Sequence, residues 1–216
     1  MRRWYIFISL TILFAGCAGD PPPNQWQYDS SSQFEEYKNS YLKGENDLAR
    51  DFLTKALKSA KSSSNLETLA SIELGRVALR VGLFKRANLK EYKKIEPLIA
   101  SKELKAYAKL LSKTLTPNDV KNLPKRYQQF AKAYLRGDYL SAKRRVIEMK
   151  RPLSKMVAGA LIKEHLDDKT ISNIVDSISF YGYKVAVIRW LEFWKSRTKN
   201  STLKKQLSKK LSILKS

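Results

Sequence analysis

The sequence is poor in the residues that usually announce chemistry. It has one cysteine, one histidine, eight glycines and seven prolines in 216 residues. A single Cys forms no internal disulfide, and one Cys with one His leaves a Cys/His zinc site without ligands. Scarce Gly and Pro, beside plentiful Leu, Ile and Tyr, exclude a collagenous or wholly disordered chain. Catalytic signatures are missing as well: no phosphate-binding Gly-x-x-x-x-Gly-Lys-Ser/Thr loop, no His-Glu-x-x-His and no Gly-x-Ser-x-Gly. His165, in Lys163-Glu164-His165-Leu166 beside Asp167 and Asp168, reads as a helix C-terminal histidine set against the macrodipole. A base or metal ligand is its weaker reading. Acid is also scarce, with 20 Asp+Glu against 42 Lys+Arg and a net charge of +22. What is present is 43% hydrophobic residues, enough to build a core.

Met1-Arg2-Arg3 is a short basic start, followed by the apolar run Trp4–Phe14 and then Ala15-Gly16-Cys17. The run is shorter than the roughly 20 residues a membrane span requires. This arrangement resembles a bacterial lipoprotein signal peptide, with Leu13-Phe14-Ala15-Gly16-Cys17 as its lipobox and Phe14 where Leu is usual. The resemblance implies removal of residues 1–16 and lipidation of Cys17 by acyl chains such as palmitate. Each buried methylene contributes roughly 0.8 kcal/mol, so two or more chains hold firmly. Ala18 follows the Cys in place of Asp, which favours the outer membrane, on its periplasmic or surface side. An uncleaved anchor and an ordinary secretory signal remain as alternatives.

Residues 17–32 combine Pro21-Pro22-Pro23 with Ser30-Ser31-Ser32 and read as a flexible tether. From about Gln33 onward the pattern is helical, as in Leu104-Tyr107-Ala108-Leu111 and Val187-Trp190-Leu191-Trp194. Breaks fall at Ser62–Asn65, Pro97, Thr116–Asp119, Pro124, Pro152, Asp167-Asp168 and Gly182. Convincing strand alternation and Asn-Gly or Asp-Gly hairpin turns are missing.

Internal repetition refines this picture. Gly82-Leu83-Phe84-Lys85-Arg86-Ala87 and Gly137-Asp138-Tyr139-Leu140-Ser141-Ala142 share a Gly, an aromatic two later and an Ala five later. Each is preceded by Ala (Ala78, Ala133) and followed by Pro-Leu (Pro97, Leu98; Pro152, Leu153). Gly44, with Ala49, Ala56 and Leu57, opens a third copy. Gly permits a left-handed turn between antiparallel helices, and Ala lets them approach. The unit is similar to the tetratricopeptide repeat family in Tyr41, Gly44, Ala49, Ala56 and Leu57. It is similar again in Gly75, Ala78, Gly82, Phe84 and Ala87, and in Ala133, Tyr134, Gly137, Tyr139 and Ala142. It departs from the family in lacking the usual Trp, in Lys94 and Met149 at the last small position, and in irregular spacing. The resemblance implies an all-α, right-handed helical solenoid, with repeats over 33–152 and an inserted helix near Ser101–Leu115. C-terminal helices over 153–216 follow, near Leu153–Leu166, Lys169–Phe180, Tyr183–Arg197 and Ser201–Lys215. A generic helical bundle is the alternative.

The leading functional expectation is a lipid-anchored, non-catalytic scaffold that binds an envelope protein, with no cofactor and no metal. Solenoids expose long curved surfaces and rarely carry chemistry. The family register implies a partner groove formed by Lys38, Tyr41, Arg76, Arg80, Tyr127 and Tyr134. Tyr supplies area and Arg forked donors for an acidic or amphipathic peptide. A second expectation is a basic module for anionic lipid or glycan, since an exported chain seldom meets nucleic acid. The C-terminal stripe Leu203, Leu207, Leu211 and Leu214 would pack on the preceding helix. It would leave Lys204, Lys205, Lys209 and Lys210 facing an anionic surface. A peptidoglycan-active enzyme is the third, without a carboxylate pair to nominate. The aromatics Phe180, Tyr181, Tyr183, Trp190, Phe193 and Trp194 read as core.

Overall fold

The computed structural model describes residues 25–216; the lipobox, Cys17 and the first part of the tether lie outside the described residues. Among the described residues all regular structure is helical. The α-helices are α1 (Gln25–Lys43), α2 (Asn46–Ser62), α3 (Leu66–Gly82), α4 (Lys90–Ile95), α5 (Lys102–Ser112) and α6 (Lys125–Leu135). They continue with α7 (Tyr139–Glu148), α8 (Pro152–Leu161), α9 (Asp168–Phe180), α10 (Lys184–Arg197) and α11 (Ser201–Lys215). Three 3-10 segments, Glu96–Leu98, Pro117–Asn122 and Lys163–His165, tighten the connections.

Two of the breaks read from the sequence, at Asn65 and Asp167, become helix caps, and three further caps join them. Asn65, Ser101, Asp138, Asp167 and Asn200 each accept a hydrogen bond from a backbone N–H in the first turn that follows. Such a side-chain cap is worth about 1 kcal/mol. At the other ends, five helices close with the same bond, from an N–H back to a carbonyl five residues earlier. These run Glu45 to Ser40, Lys85 to Arg80, Thr114 to Lys109, Asp138 to Ala133 and Tyr183 to Ile178. The preceding residue is left-handed each time: Gly44, Phe84, Lys113, Gly137 and Gly182. Glycine takes that conformation freely, and Phe and Lys do not.

Two expectations change here. The helix begins at Gln25, so residues 25–32 belong to α1 and not to the tether. Serine is a weak helix former, but α1 packs along the length of α2, Ser30 is buried, and Ser31 satisfies its hydroxyl on the Gln27 carbonyl. The second repeat also differs. Gly82 is the last residue of α3 and not the turn; Phe84 takes the left-handed position at φ 62°. Gly82 is small for another reason, since a Cβ there would lie 3.1 Å from Met156 Cβ on α8. The helix after that turn is α4 alone, six residues long.

Neighbouring helices pack in chain order, as a helical repeat arrangement requires, and contacts between distant helices close it. The face of α3 lies on α8 and α1 meets α10, while α11 packs on its neighbour α10. Tyr183 Oη donates to Asn39 Oδ1 at 3.0 Å, and Val185 Cγ2 fills the space beside Gly44. Trp190, fully buried, donates from Nε1 to the Gly82 carbonyl at 2.9 Å. Its ring lies 4.6 Å from Phe84, which also lies 4.6 Å from Phe193. One apolar cluster therefore runs from Tyr37 to Leu211 with no break in packing at 152/153, and a smaller one, Ala56, Ala60 and Ile72, lies between α2 and α3.

Candidate functional site

Closure of α10 onto α1 leaves a groove of about 570 Å³ on the inner side of the helices. Its walls come from α1 (Phe34, Glu35, Lys38), α3 (Ser71, Leu74, Gly75) and α5 (Glu103, Leu104, Tyr107). The start of α6 (Arg126, Tyr127), the start of α8 (Arg151 to Ser154) and the α9–α10 turn (Tyr181, Tyr183) complete it. The helical stripes explain the placement, because each helix turns its large apolar face to the core and presents one edge of that face to the groove. Phe34 reaches the wall because Gly75 has no side chain; a Cβ at 75 would lie 2.2 Å from the Phe34 ring.

The aromatic floor is held by its own contacts. Tyr107 and Tyr127 rings lie 5.4 Å apart with their hydroxyls at 3.4 Å, and Tyr181 stacks on Tyr183 at 5.6 Å. Burial pushes the Tyr107 hydroxyl well above its ordinary pKa, and the neighbouring Tyr127 adds to the effect. Burial and then the Glu35 carboxylate raise Tyr183. These phenols are therefore neutral donors and acceptors at physiological pH. Charge is carried by the Glu35–Lys38 pair on α1, by Glu103, and by Arg126 and Arg151. The groove thus offers rings, apolar side chains and forked donors to a ligand.

The six groove residues expected from the repeat register do not meet in one place. Lys38 and Tyr127 line the groove. Tyr41, Arg76 and Arg80 line a separate cleft of about 270 Å³ with Glu73 and Glu91. There Arg76 pairs with Glu73 at 2.7 Å, and burial lifts Tyr37 to about 12. Tyr134 lines neither cavity and stacks on Phe130 at 5.9 Å. The reason is geometric: α1 and α3 run between two cavities, so on α3 Ser71, Leu74 and Gly75 face the groove while Glu73, Arg76 and Arg80, on the opposite edge, face the cleft. The sequence reading missed Phe34, Tyr107, Tyr181, Tyr183, Arg126 and Arg151. Gly75 was the available clue to Phe34, and Tyr107 sat in a stripe already read as helical.

The expected aromatic core divides too. Trp190 and Tyr183 are buried, and Phe193 and Trp194 half-buried, with Trp194 donating to Asp168 at 2.7 Å. Phe180 is 85% exposed and Tyr181 49%, because they sit on the α9–α10 turn where no helix covers them. On α11, Leu207 and Leu211 are buried against the bundle, while Lys204, Lys205, Lys209 and Lys210 are exposed and make no ion pair among the described residues. Lys215, at its end, pairs with Glu192 at 2.7 Å. His165 stacks on Tyr139 with ring centres 3.4 Å apart. Among the described residues no group of three His, Cys, Asp or Glu is arranged to hold a metal, and no helix is long and apolar enough to cross a membrane.

A second cleft, of about 520 Å³, adjoins the groove. Arg126, Arg151 and Ser154 line both, so the two cavities share a wall. No family model, no curated protein and no solved structure matches this chain.

Proposed function

We propose that the protein is a lipid-anchored envelope protein that acts as a non-catalytic scaffold, holding a segment of a protein partner in the inner groove. The groove itself carries this reading: six separate elements converge on one aromatic-lined concavity, within the size range of ligand-binding clefts. Rigid rings with few rotamers make good anchors for a partner because little entropy is lost when they are covered. The lipobox at Cys17 and the likeness to tetratricopeptide units support the anchoring and scaffold parts. The outer membrane is the proposed site of anchoring.

Site-specific photocrosslinking tests the groove. A photoreactive residue at exposed Ser71 or Glu103, on the groove wall, is expected to trap a partner in intact envelopes. The same residue at Leu48, exposed on α2 and away from the groove, is expected to trap none. Trapping at Leu48 alone would sink the assignment. Anchoring has its own test: Cys17→Ala is expected to abolish acyl mass and detergent-phase partitioning.

A second reading rests on α11. Its four unpaired lysines form an outward basic face that suits anionic lipid or glycan, each worth on the order of 1 kcal/mol near a charged membrane. Exchanging Lys204, Lys205, Lys209 and Lys210 for Gln is then expected to abolish co-sedimentation of the unlipidated chain with anionic vesicles at low salt. Unchanged binding would reduce this face to a solvated surface.

A further inference from the structure

The starts of α6 and α8 open onto the same cleft, and both are built against ordinary electrostatics. A helix N-terminus carries a partial positive charge, which favours carboxylates there and disfavours cations. Here α6 begins with Lys125 and Arg126, and α8 is preceded by Lys150 and Arg151, with no acidic residue in either first turn. All four cations line the cleft, and none makes an ion pair among the described residues. The one carboxylate lining the cleft, Glu148, is held by Arg145 at 2.9 Å. Glu103 lines the neighbouring groove but not the cleft.

The donors at this point are also left open. Neither helix has a side-chain cap. Pro152 occupies the first turn of α8 and has no N–H, so the orphan donors there are those of Leu153 and Ser154. Ser154 is only 4% exposed, and its hydroxyl has no hydrogen-bond partner among the described residues. The hydroxyl opens onto the cavity wall, where it can donate to and accept from a ligand. That hydroxyl lies on the wall shared by cleft and groove.

The geometry points to a phosphate-binding site at the start of α8, in which the Leu153 and Ser154 N–H groups and the Ser154 hydroxyl meet a phosphoryl group flanked by Arg126 and Arg151. Lys125 and Lys150 complete the positive field. Two main-chain donors, a hydroxyl, two guanidinium forks and two ammonium groups exceed what the two oxygens of a carboxylate accept. They match the several oxygens and double charge of a phosphate. An inorganic or metabolite phosphate and a phospholipid headgroup share this chemistry. The site lies on the wall that the cleft shares with the partner groove.

Titration calorimetry of the full chain carrying Cys17→Ser, which removes the lipid, tests the site with inorganic phosphate as the probe. Saturable binding is expected, weakened about ten-fold or more by Arg126→Gln with Arg151→Gln and several-fold by Ser154→Ala. The control pair Lys58→Gln with Lys61→Gln removes equal charge from exposed positions on α2 and is expected to change binding less than about two-fold. Equal weakening by both pairs would reduce the effect to diffuse charge and overturn the site, as would the lack of saturation. Thermal unfolding checks that each variant is folded. Should the double variant fail to fold, Lys150→Gln, exposed and outside the core, replaces it and is expected to weaken binding several-fold. Vesicles of phosphatidylcholine with and without phosphatidic acid separate the sources. Capture by phosphatidic acid that inorganic phosphate reverses assigns a headgroup, and phosphate binding without capture assigns a free anion.

Discussion

The turns at Gly137 and Phe84 place the same backbone in two different settings. Both put a left-handed residue after a helix, at φ 72° and 62°, and both close with an N–H to a carbonyl five residues back, at 3.0 and 2.9 Å. Around Gly137 nothing lies within 4 Å of where a Cβ would stand. Around Phe84 the ring is wedged against Trp190 and Phe193. In the first case the residue type alone permits the turn. In the second, tertiary packing imposes a conformation that costs a bulky residue about 1–2 kcal/mol. The same local geometry is thus specified from within the turn at one site and from a helix a hundred residues away at the other.

Removing the distant support gives the largest expected effect. Trp190→Ala deletes the ring behind Phe84 and leaves the buried Gly82 carbonyl without its donor. A loss of about 4 kcal/mol in urea unfolding is expected. Trp190→Phe, which keeps most of the bulk, should lose about half as much. A loss under about 1 kcal/mol for Trp190→Ala would mean that the Phe84 turn holds itself, and the contrast would collapse.

Phe84→Gly sharpens the comparison. It relieves about 1–2 kcal/mol of backbone strain while forfeiting about 3 kcal/mol of ring packing, so a net loss of about 1–2 kcal/mol is expected. A stabilised variant would show that strain outweighs packing at this turn. Gly137→Ala meets no steric neighbour, so it should cost only the strain, about 1 kcal/mol or a few degrees in Tm.

Acid titration probes the seam between α7 and α9, away from both turns, and gives the smallest effect. Burial alone would raise the pKa of Asp167, but hydrogen bonds from Lys143 and Thr170 outweigh it and hold the carboxyl at about 2. A carboxyl held below its unfolded value of 3.8 stabilises the fold above that pH. The contribution then fades as pH falls from about 4 to about 2. Asp167 is half exposed, so solvent screening leaves no more than about 1 kcal/mol. Asp167→Asn, which keeps the cap on Thr170, is expected to flatten that part of the stability profile.

The helices were legible in the sequence wherever a cap coincided with a change in apolar period. Asn65 and Asp167 mark α3 and α9, and Gly137 marks the α6–α7 turn. Gly82 was misread because a glycine signals either a permissive backbone or a close approach, and only the position of Met156 on α8 decides which. The groove was less legible still. Its walls depend on α10 meeting α1, a contact that no local period encodes. Lys38 and Tyr127 were placed on it by register, while Arg76 and Arg80 fell across the helix. Arg126 and Arg151 stood unmarked among the chain's many cations, since spacing alone does not reveal two helix starts converging.

The bond between Asn39 and Tyr183 also sets an order of events. Its partners are 144 residues apart in the chain. Closing so long a loop costs about 2 kcal/mol more entropy than closing a hairpin an eighth as long. The α1–α2 and α6–α7 hairpins are therefore expected to form early, while the groove completes only when α10 arrives. Until α10 docks, the apolar edges of α1 and α3 stand uncovered, and the groove is the last part of the molecule to form.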